Sequence, residues 1–565
     1  MTNVPETRHH RPTVMACGHV VAAGHYWTAL AGHEILEAGG NAVDAGVAMG
    51  IATNVLESEF TGFGGVAPTM IYLAGTREVV VISGVGPWPM AATTDYFNKR
   101  FDGRVPPGIL NTVVPAAPGI WISALRRYGT MTFGEVAAAA IRFARDGFPI
   151  YPMFRDILIE HRDEFEQWPS TAEIFLPGGR VPEEGDLFVQ RDLAGTLQYM
   201  ADAEAAQREK GRDAGLQAAH DAFYTGDIAA AMVRQQRELD GLMTADDLAS
   251  FEARYETPCQ IRFRDLEVYG CGPWSQGPLV LGALTQLAGF DLAAMGHNSA
   301  NYIHTVTEAM KLAAADREAY FGDPDFVDVP IDRLLARDYA AERRKMIRPD
   351  EAWPGLPPFG DISGFDLPAW QPDPSARSYD AAGTTEALET SHLCAADRFG
   401  NLFASTPSDP TISGPVTPGT GITPSMWGSR AYTDPRHPGA VGPGRRPRMS
   451  ANPMIAIRDG RSIASFGSPG SEVLGQAQLQ VFLNVNVFGM DPQAAVEAPR
   501  FASYSWPASA IPHSYHPGRL NLEADIGDAV GADLAARGHR IEWWPPRNWP
   551  AGSVCSVGID MVTGL

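Results

Sequence analysis

Hydrophobic and polar positions follow one period in the first two thirds of the chain and a second period after it. Near the N-terminus, "TALAGHEILEAGG" sets Leu30, Ile35 and Leu36 at helical spacing and stops at Gly39-Gly40. Asn41 then stands where a cap is needed for a second helix, "NAVDAGVAMGIATNVLE". "FTGFGGVAPTMIYLAG" reads as a glycine turn feeding a strand. Thr132 with Glu135, and Thr244 with Asp247, have capping-box spacing, and the region from about 100 to 345 reads as mostly helical.

From Pro349 to Asp380 the chain is rich in proline and irregular, a length of loop that is either functional or disordered. Beyond it the period drops to two. "SHLCAADRFGNLFAST" and "MIAIRDGRSIASFG" read as hairpins turning at Asp397–Asn401 and at Asp459-Gly460, and a helix, "EVLGQAQLQVFLNVNVF", follows. Residues 1–15 read as a polar arm, and no internal repeat or low-complexity tract is present. Helices, a long loop, then hairpins and more helices predict a layered α+β fold rather than a doubly wound nucleotide-binding one.

Composition narrows the class. The 565 residues suffice for several domains or for one large sandwich with helical layers. A net charge of −22 argues against a nucleic-acid or anionic-membrane surface, both of which need basic patches. The five cysteines are scattered and form no CxxC pair, so neither a disulfide framework nor a zinc site is expected. The first residues lack the apolar core of a signal peptide, and no apolar run reaches the ~18 residues of a membrane span, so a cytoplasmic location is expected. The chain ends at "DMVTGL", inside what reads as a final hairpin, which leaves open a longer natural C-terminus.

Candidate chemistry is sparse. "GFGG" (Gly62–Gly65) and "PGTG" (Pro418–Gly421) lack the Lys-Ser/Thr of a phosphate loop and suit tight turns. No GxSxG or HExxH occurs, and His9 and His10 lie in the terminal arm, so no cofactor or metal is expected. In "FGSPGSE" (Phe466–Glu472) a strand ends just before a helix, where free backbone N–H groups make an anion or oxyanion site; an ordinary strand-to-helix turn explains the same residues. Thr390 stands where the long loop meets a strand. A cut before it would leave one residue with both a nucleophilic hydroxyl and a basic amine of pKa near ~8. On the local pattern alone, a plain threonine at a strand entry is the better reading.

The residues converge on a family along nearly the whole chain. "ILEAGGNAVDAGVAMG", "VVPAAPG", "YGTMTFGEV", "FARDGFPI" and "EAMKLAAADREAYFGDPDFVDVP" (Glu308–Pro330), then "ETSHLCAADRFGN", "GRRPRMSANPMI", "FGSPGS" and "EAPRF", occur in order. In this series the chain resembles the gamma-glutamyltranspeptidases, self-cleaving N-terminal nucleophile hydrolases. The resemblance implies a four-layer αββα sandwich with additional helices. It also implies cleavage between Glu389 and Thr390. Residues 1–389 would be a large subunit of helical layers and part of the sandwich, ending in the irregular loop 349–389. Residues 390–565 would be a small subunit carrying the nucleophile, and both would form one composite domain. By the same resemblance Thr390 is the nucleophile, Ser408 its supporting hydroxyl, Gly470 and Ser471 the oxyanion-hole amides, and Ser450 a contact to a substrate carboxylate.

Departures from the family are equally informative. Its carboxylate-binding arginine falls at Val85, its amino-group-binding acid near Arg430, and the asparagine after the supporting hydroxyl at Pro410; the chain is short between Arg430 and Gly444. Amide-cleaving machinery is kept while γ-glutamyl recognition is rewritten, a pattern similar to the family's divergent acylases and amidohydrolases. The expected activity is therefore hydrolysis of a small acyl amide, or its transfer to an amine, through an acyl-enzyme on Thr390. Arg430 would hold a carboxylate or keto oxygen, and Trp427, three residues earlier, would wall or stack on the guanidinium. Because self-cleavage involves no exogenous acyl group, Arg430 is expected to matter for turnover only. A true gamma-glutamyltransferase or glutathione hydrolase, and a non-catalytic binding protein on the same scaffold, stay open at this level, as does a homodimer of the processed pair.

Overall fold

The computed structural model describes residues 10–362, 364–365, 370, 389–561 and 563, and every statement of absence below concerns these. Two antiparallel sheets make the centre. The first contains β1 (Val20–Ala23), β2 (Thr69–Leu73), β3 (Glu78–Ser83), β4 (Arg254–Glu256), β7 (Leu393–Ala396) and β8 (Leu402–Ser405), in the spatial order β1-β7-β8-β2-β3-β4. The second contains β5 (Cys259–Phe263), β6 (Leu266–Gly270), β9 (Met454–Arg458), β10 (Ser462–Gly467) and β11 (Cys555–Asp560), in the order β11-β10-β9-β6-β5.

Alternation along the strands sorts the core into three layers. Cys394, Ala396, Leu402 and Ala404 meet Ile455, Ile457, Ile463 and Val557 between the sheets. Leu393, Ala395 and Phe403 point outward from the first sheet onto α2 (Ala42–Leu56), behind which stand α1 (Tyr26–Glu37), α3 (Ala117–Tyr128) and α4 (Phe133–Asp146). Met454, Ala456 and Phe466 point outward from the second sheet onto α5 (Gly277–Leu287), α6 (Ala300–Tyr320) and α7 (Leu474–Asn486). The result is the expected four-layer αββα sandwich. None of the described helices is long and apolar enough to cross a membrane.

Local chemistry accounts for the elements around the site. Asn41 and Asp44 close the capping box of α2, every residue of which is buried. Gly46 lets α2 lie on the first sheet, since a Cβ there would come within 2.1 Å of the Phe403 ring. The β7–β8 hairpin turns at Asp397–Asn401 as its sequence suggests, and Asp397 accepts the Ala42 N–H at 2.9 Å, fixing the turn to the start of α2.

The region 100–345 is mostly helical, as its sequence suggests, but β4, β5 and β6 lie inside it. The β5–β6 hairpin turns at Arg264, which adopts φ +56° with no glycine to mark it, so the usual turn signal is missing. Part of the long loop is packed. Leu356 N–H donates to Tyr515 Oη at 2.7 Å and Gly360 N–H to Asp316 Oδ1 at 2.8 Å. Residues 371–388 lie outside the described set.

Candidate active site

The Thr-Ser-His triplet sends its three side chains to three different places. Thr390 Oγ1 lies 2.7 Å from Ser408 Oγ, with both residues buried. Ser391 Oγ donates to Glu57 Oε2 at 3.0 Å. His392 Nδ1 lies 2.9 Å from Thr406 Oγ1, and burial pushes its pKa down to about 3, so the ring is neutral and its hydrogen bond there is structural. The backbone holds the first pair rigidly: Thr390 N–H donates to the Phe60 carbonyl at 3.0 Å, Ser391 N–H to Pro407 at 3.0 Å, and Ser408 N–H to Val66 at 3.1 Å. Thr390 adopts φ +98°, a conformation that a β-branched residue takes at a cost of about 1–3 kcal/mol. The chain is thus strained at the residue where the sequence predicts a cut.

Residue 389 is held on both sides of that bond. Its carbonyl oxygen accepts the Gly470 N–H at 3.4 Å. Its carboxylate forms an ion pair with Arg430 Nη2. Arg430 is 3% exposed, donates through Nη1 to Ser429 Oγ at 2.8 Å, and lies with its guanidinium carbon 4.4 Å from the centroid of Trp427. The predicted stacking of Arg430 on Trp427 is therefore present. The premise that Arg430 has no part in the uncut chain is not, because its partner is the side chain of Glu389.

Gly470 reaches that carbonyl because the turn after β10 is anchored from below. Gly470 adopts φ +120° and Ser471 φ +47°, and Glu472 accepts from Arg317 (2.7 Å), Trp506 Nε1 (3.0 Å), Ser509 N–H (2.7 Å) and Gln276 Nε2 (3.1 Å). Arg317 also pairs with Glu318 at 2.9 Å, and Glu318 with Arg448 at 2.8 Å. Burial alone would raise the Glu318 carboxyl, but Arg448 and Arg317 outweigh it and hold it well below the usual range. The motif "EAMKLAAADREAYFGDPDFVDVP" thus contributes a buried ion network under the Gly470 turn rather than a group that faces Thr390.

Two buried acids border the site without having been singled out from the sequence. Asp409 follows Ser408 with φ +77°; it accepts the Met426 N–H at 3.2 Å and the Ser425 hydroxyl, tying the segment that carries Trp427 and Arg430 to the one that carries Ser408. Burial pushes its carboxyl up to about 7, against the Ser425 hydrogen bond and with the help of the Glu389 charge. Burial likewise raises Glu57 to about 7, opposed by its hydrogen bond from Ser391. Direct adjacency to Ser408 was the one signal for Asp409; Glu57 had none.

Among the other residues singled out, Ser450 is buried on the segment leading into β9, and no hydrogen bond joins its side chain to Thr390, Ser408 or Arg430 among the described residues. Ser471 opens a single turn before α7, and no contact of its N–H with the Glu389 carbonyl is present. Val85 is buried in the core between the sheets. Pro410 opens a short turn, Thr411–Ser413. Two clusters have metal-ligating side chains, His19/His33/Glu37 and His304/Glu308/His539. In the second, His304 bonds His539 at 2.9 Å, and Glu308 is taken by Lys311 and the Trp353 N–H at 2.8 and 3.0 Å.

Comparison with known proteins places the chain in a family. A family model described as gamma-glutamyltranspeptidase matches residues 28–563. The Acylase ACY 1 proenzyme of Pseudomonas sp. (strain SE83) is 31% identical over 540 residues, 92% of this chain and 87% of its own. The Glutathione hydrolase proenzyme of Bacillus subtilis (strain 168) is 29% identical over 562 residues, 96% of this chain and 88% of its own. The structure described as LmbA2991HD superposes with a TM-score of 0.92 at 33% identity, covering 99% of this chain and 97% of the other. The chain belongs to the gamma-glutamyltranspeptidase family of N-terminal nucleophile hydrolases, and is a self-processing enzyme that acts on amide bonds as hydrolase or transferase.

Proposed function

We propose that the chain cleaves itself between Glu389 and Thr390 and that the mature enzyme hydrolyses amides of small carboxylate-bearing acyl groups through an ester on Thr390. The observation that carries this is the convergence on one peptide bond of the Thr390–Ser408 hydroxyl pair and the Gly470 amide. In turnover, Thr390 Oγ1 attacks the substrate carbonyl while Ser408 fixes the hydroxyl. The freed α-amino group takes the proton and returns it to the leaving amine. Gly470 N–H, with Ser471 N–H as the second donor, meets the developing oxyanion, an interaction of ~3 kcal/mol for one such donor. Water, or an amine acceptor, then releases the acyl group.

Arg430 against Trp427 supplies the acyl carboxylate site, and its pairing with Glu389 supports an acyl chain of about the length of a glutamate side chain. With Val85 in place of the family arginine and Arg430 in place of its acid, an ammonium next to that carboxylate meets a positive charge, so γ-glutamyl groups should be poor substrates. Residues 1–389 and 390–565 would remain one composite domain after the cut.

Two measurements test the proposal. A denaturing gel should show two pieces, the smaller beginning at Thr390 by N-terminal sequencing; a start at Thr384, Thr385 or Ser391, or a single uncut band, overturns the nucleophile assignment. Anilides of ω-carboxyacyl groups should be cleaved far faster than γ-glutamyl anilide; efficient, saturable turnover of the latter restores a glutathione hydrolase.

A further inference from the structure

We propose that Glu389 is the enzyme's first acyl substrate, and that Arg430 is a positioning residue for self-cleavage because it grips the Glu389 carboxylate. The inference rests on the proposed cut before Thr390 and adds a recognition step to it. Its failure is visible separately, because one experiment asks where the chain splits and the other how fast.

Both ends of residue 389 are fixed to different parts of the molecule. The carbonyl is on the Gly470 N–H, in the turn after β10, and the carboxylate is on Arg430, in the segment that Asp409 ties to Ser408. Residue 389 is thus held through its backbone and, separately, through its side chain. On the other side of the bond, the Thr390 N–H is on Phe60 and Thr390 Oγ1 on Ser408. Four contacts therefore hold the two residues in a conformation that Thr390 does not favour on its own, with φ +98°. Strained backbone persists only where its surroundings over-determine it, and Arg430 supplies the one contact among the four that carries charge.

The burial of Arg430 points the same way. A guanidinium that is 3% exposed requires a partner, and among the described residues its ion pair is with Glu389. Asp409 lies in the same field, but its hydrogen bonds are spent on Ser425 and Met426. A residue placed only for an incoming substrate would have no carboxylate partner in the uncut chain; this one has the side chain of the residue about to become an acyl group.

The chemistry balances without a further reactant except water. Thr390 Oγ1 attacks the Glu389 carbonyl carbon and the C–N bond breaks. The hydroxyl proton ends on the departing nitrogen, which becomes the α-amino group of Thr390, and Glu389 is left as an ester on Oγ1. Water cleaves the ester, giving the Glu389 carboxylate and the free Thr390 hydroxyl. The ester has the same acyl position, oxyanion donor and Arg430 contact as the acyl-enzyme proposed for turnover, so self-cleavage and turnover share one acyl subsite.

The test is the rate at which purified precursor splits on a denaturing gel, for wild type, E389Q, E389A, R430A, the single reversals E389R and R430E, and the double reversal E389R/R430E. R430A and E389A should each slow splitting at least about tenfold, E389Q by less, and the double reversal should split faster than either single reversal. Thermal melting of each change in a T390A chain, which cannot split, shows whether the fold is kept. If R430A does not fold, the E389Q and E389A arms decide, E389Q keeping a side-chain oxygen on the buried guanidinium that E389A leaves unpaired. Wild-type splitting rates in E389A, or a double reversal no faster than the single ones, overturn the proposal.

Discussion

Arg317 and Glu472 meet at 2.7 Å beneath the turn that presents the Gly470 amide, although 155 residues separate them in the chain. Glu472 is buried with three further donors on its carboxylate, so E472A should leave Arg317 short of a partner and cost ~3 kcal/mol. A fall in melting temperature accompanied by slower splitting would locate the loss at the oxyanion turn. An E472A chain as stable as wild type would place the network's weight elsewhere.

Thr390→Ala should remain a single, inactive chain, because neither the backbone attack nor later acyl transfer has an oxygen to use. Thr390→Ser should split slowly. Ser408→Ala removes one hydrogen bond, of about 1 kcal/mol, and should slow splitting about fivefold without stopping it. A gel time course on the three variants compares them directly, and normal splitting in Thr390→Ala is the result that these expectations cannot accommodate.

Asp409 gives a pH-dependent prediction with a definite sign. Its folded pKa, about 7, lies above the ordinary 3.8, so the folded chain holds this proton longer than the unfolded one. The stabilisation is full below the ordinary value and is lost as pH rises through the folded one. The side-chain amide introduced by D409N has no such proton to lose. In a T390A chain, D409N should therefore gain several degrees of melting temperature relative to its parent on going from about pH 5 to about pH 8. A difference that stays flat with pH would show that Asp409 is ionised throughout.

Gly467→Ala tests the neighbour of the nucleophile strand. A Cβ there would come within 2.1 Å of His392 Nδ1, so the ring must move off Thr406 or β10 must shift. Overpacking of this kind costs about 1–3 kcal/mol, readable by thermal melting, and an unchanged melt would mean that His392 has room to turn.

Much of this architecture is legible in the sequence where cause and effect are close along the chain. The capping boxes at Asn41, Thr132 and Thr244, both later hairpins, and the stacking of Trp427 on Arg430 all involve residues within a few positions of one another. Thr390, Ser408 and Gly470 were named through the family resemblance, and the fold brings them together. What the sequence did not disclose depends on distant partners. The Arg430–Glu389 pair spans 41 residues and Ser391–Glu57 spans 334. Strands β5 and β6 were hidden for a local reason, a hairpin turned at Arg264 without glycine.

The strand order of the first sheet also says what a cut before Thr390 would do to the molecule as a folding system. Strands β7 and β8 lie between β1 on one side and β2 on the other, so backbone from both sides of the cut alternates within a single sheet. The native state would lose almost nothing, since each ladder stays intact. The unfolded state, however, would become two molecules instead of one. Folding would change from a unimolecular to a bimolecular process, and recovery from denaturant would then depend on concentration. The uncut chain should refold at any dilution, whereas the matured enzyme, once melted and diluted, should not. Self-cleavage on this scaffold would thus be a one-way door in assembly as well as in chemistry.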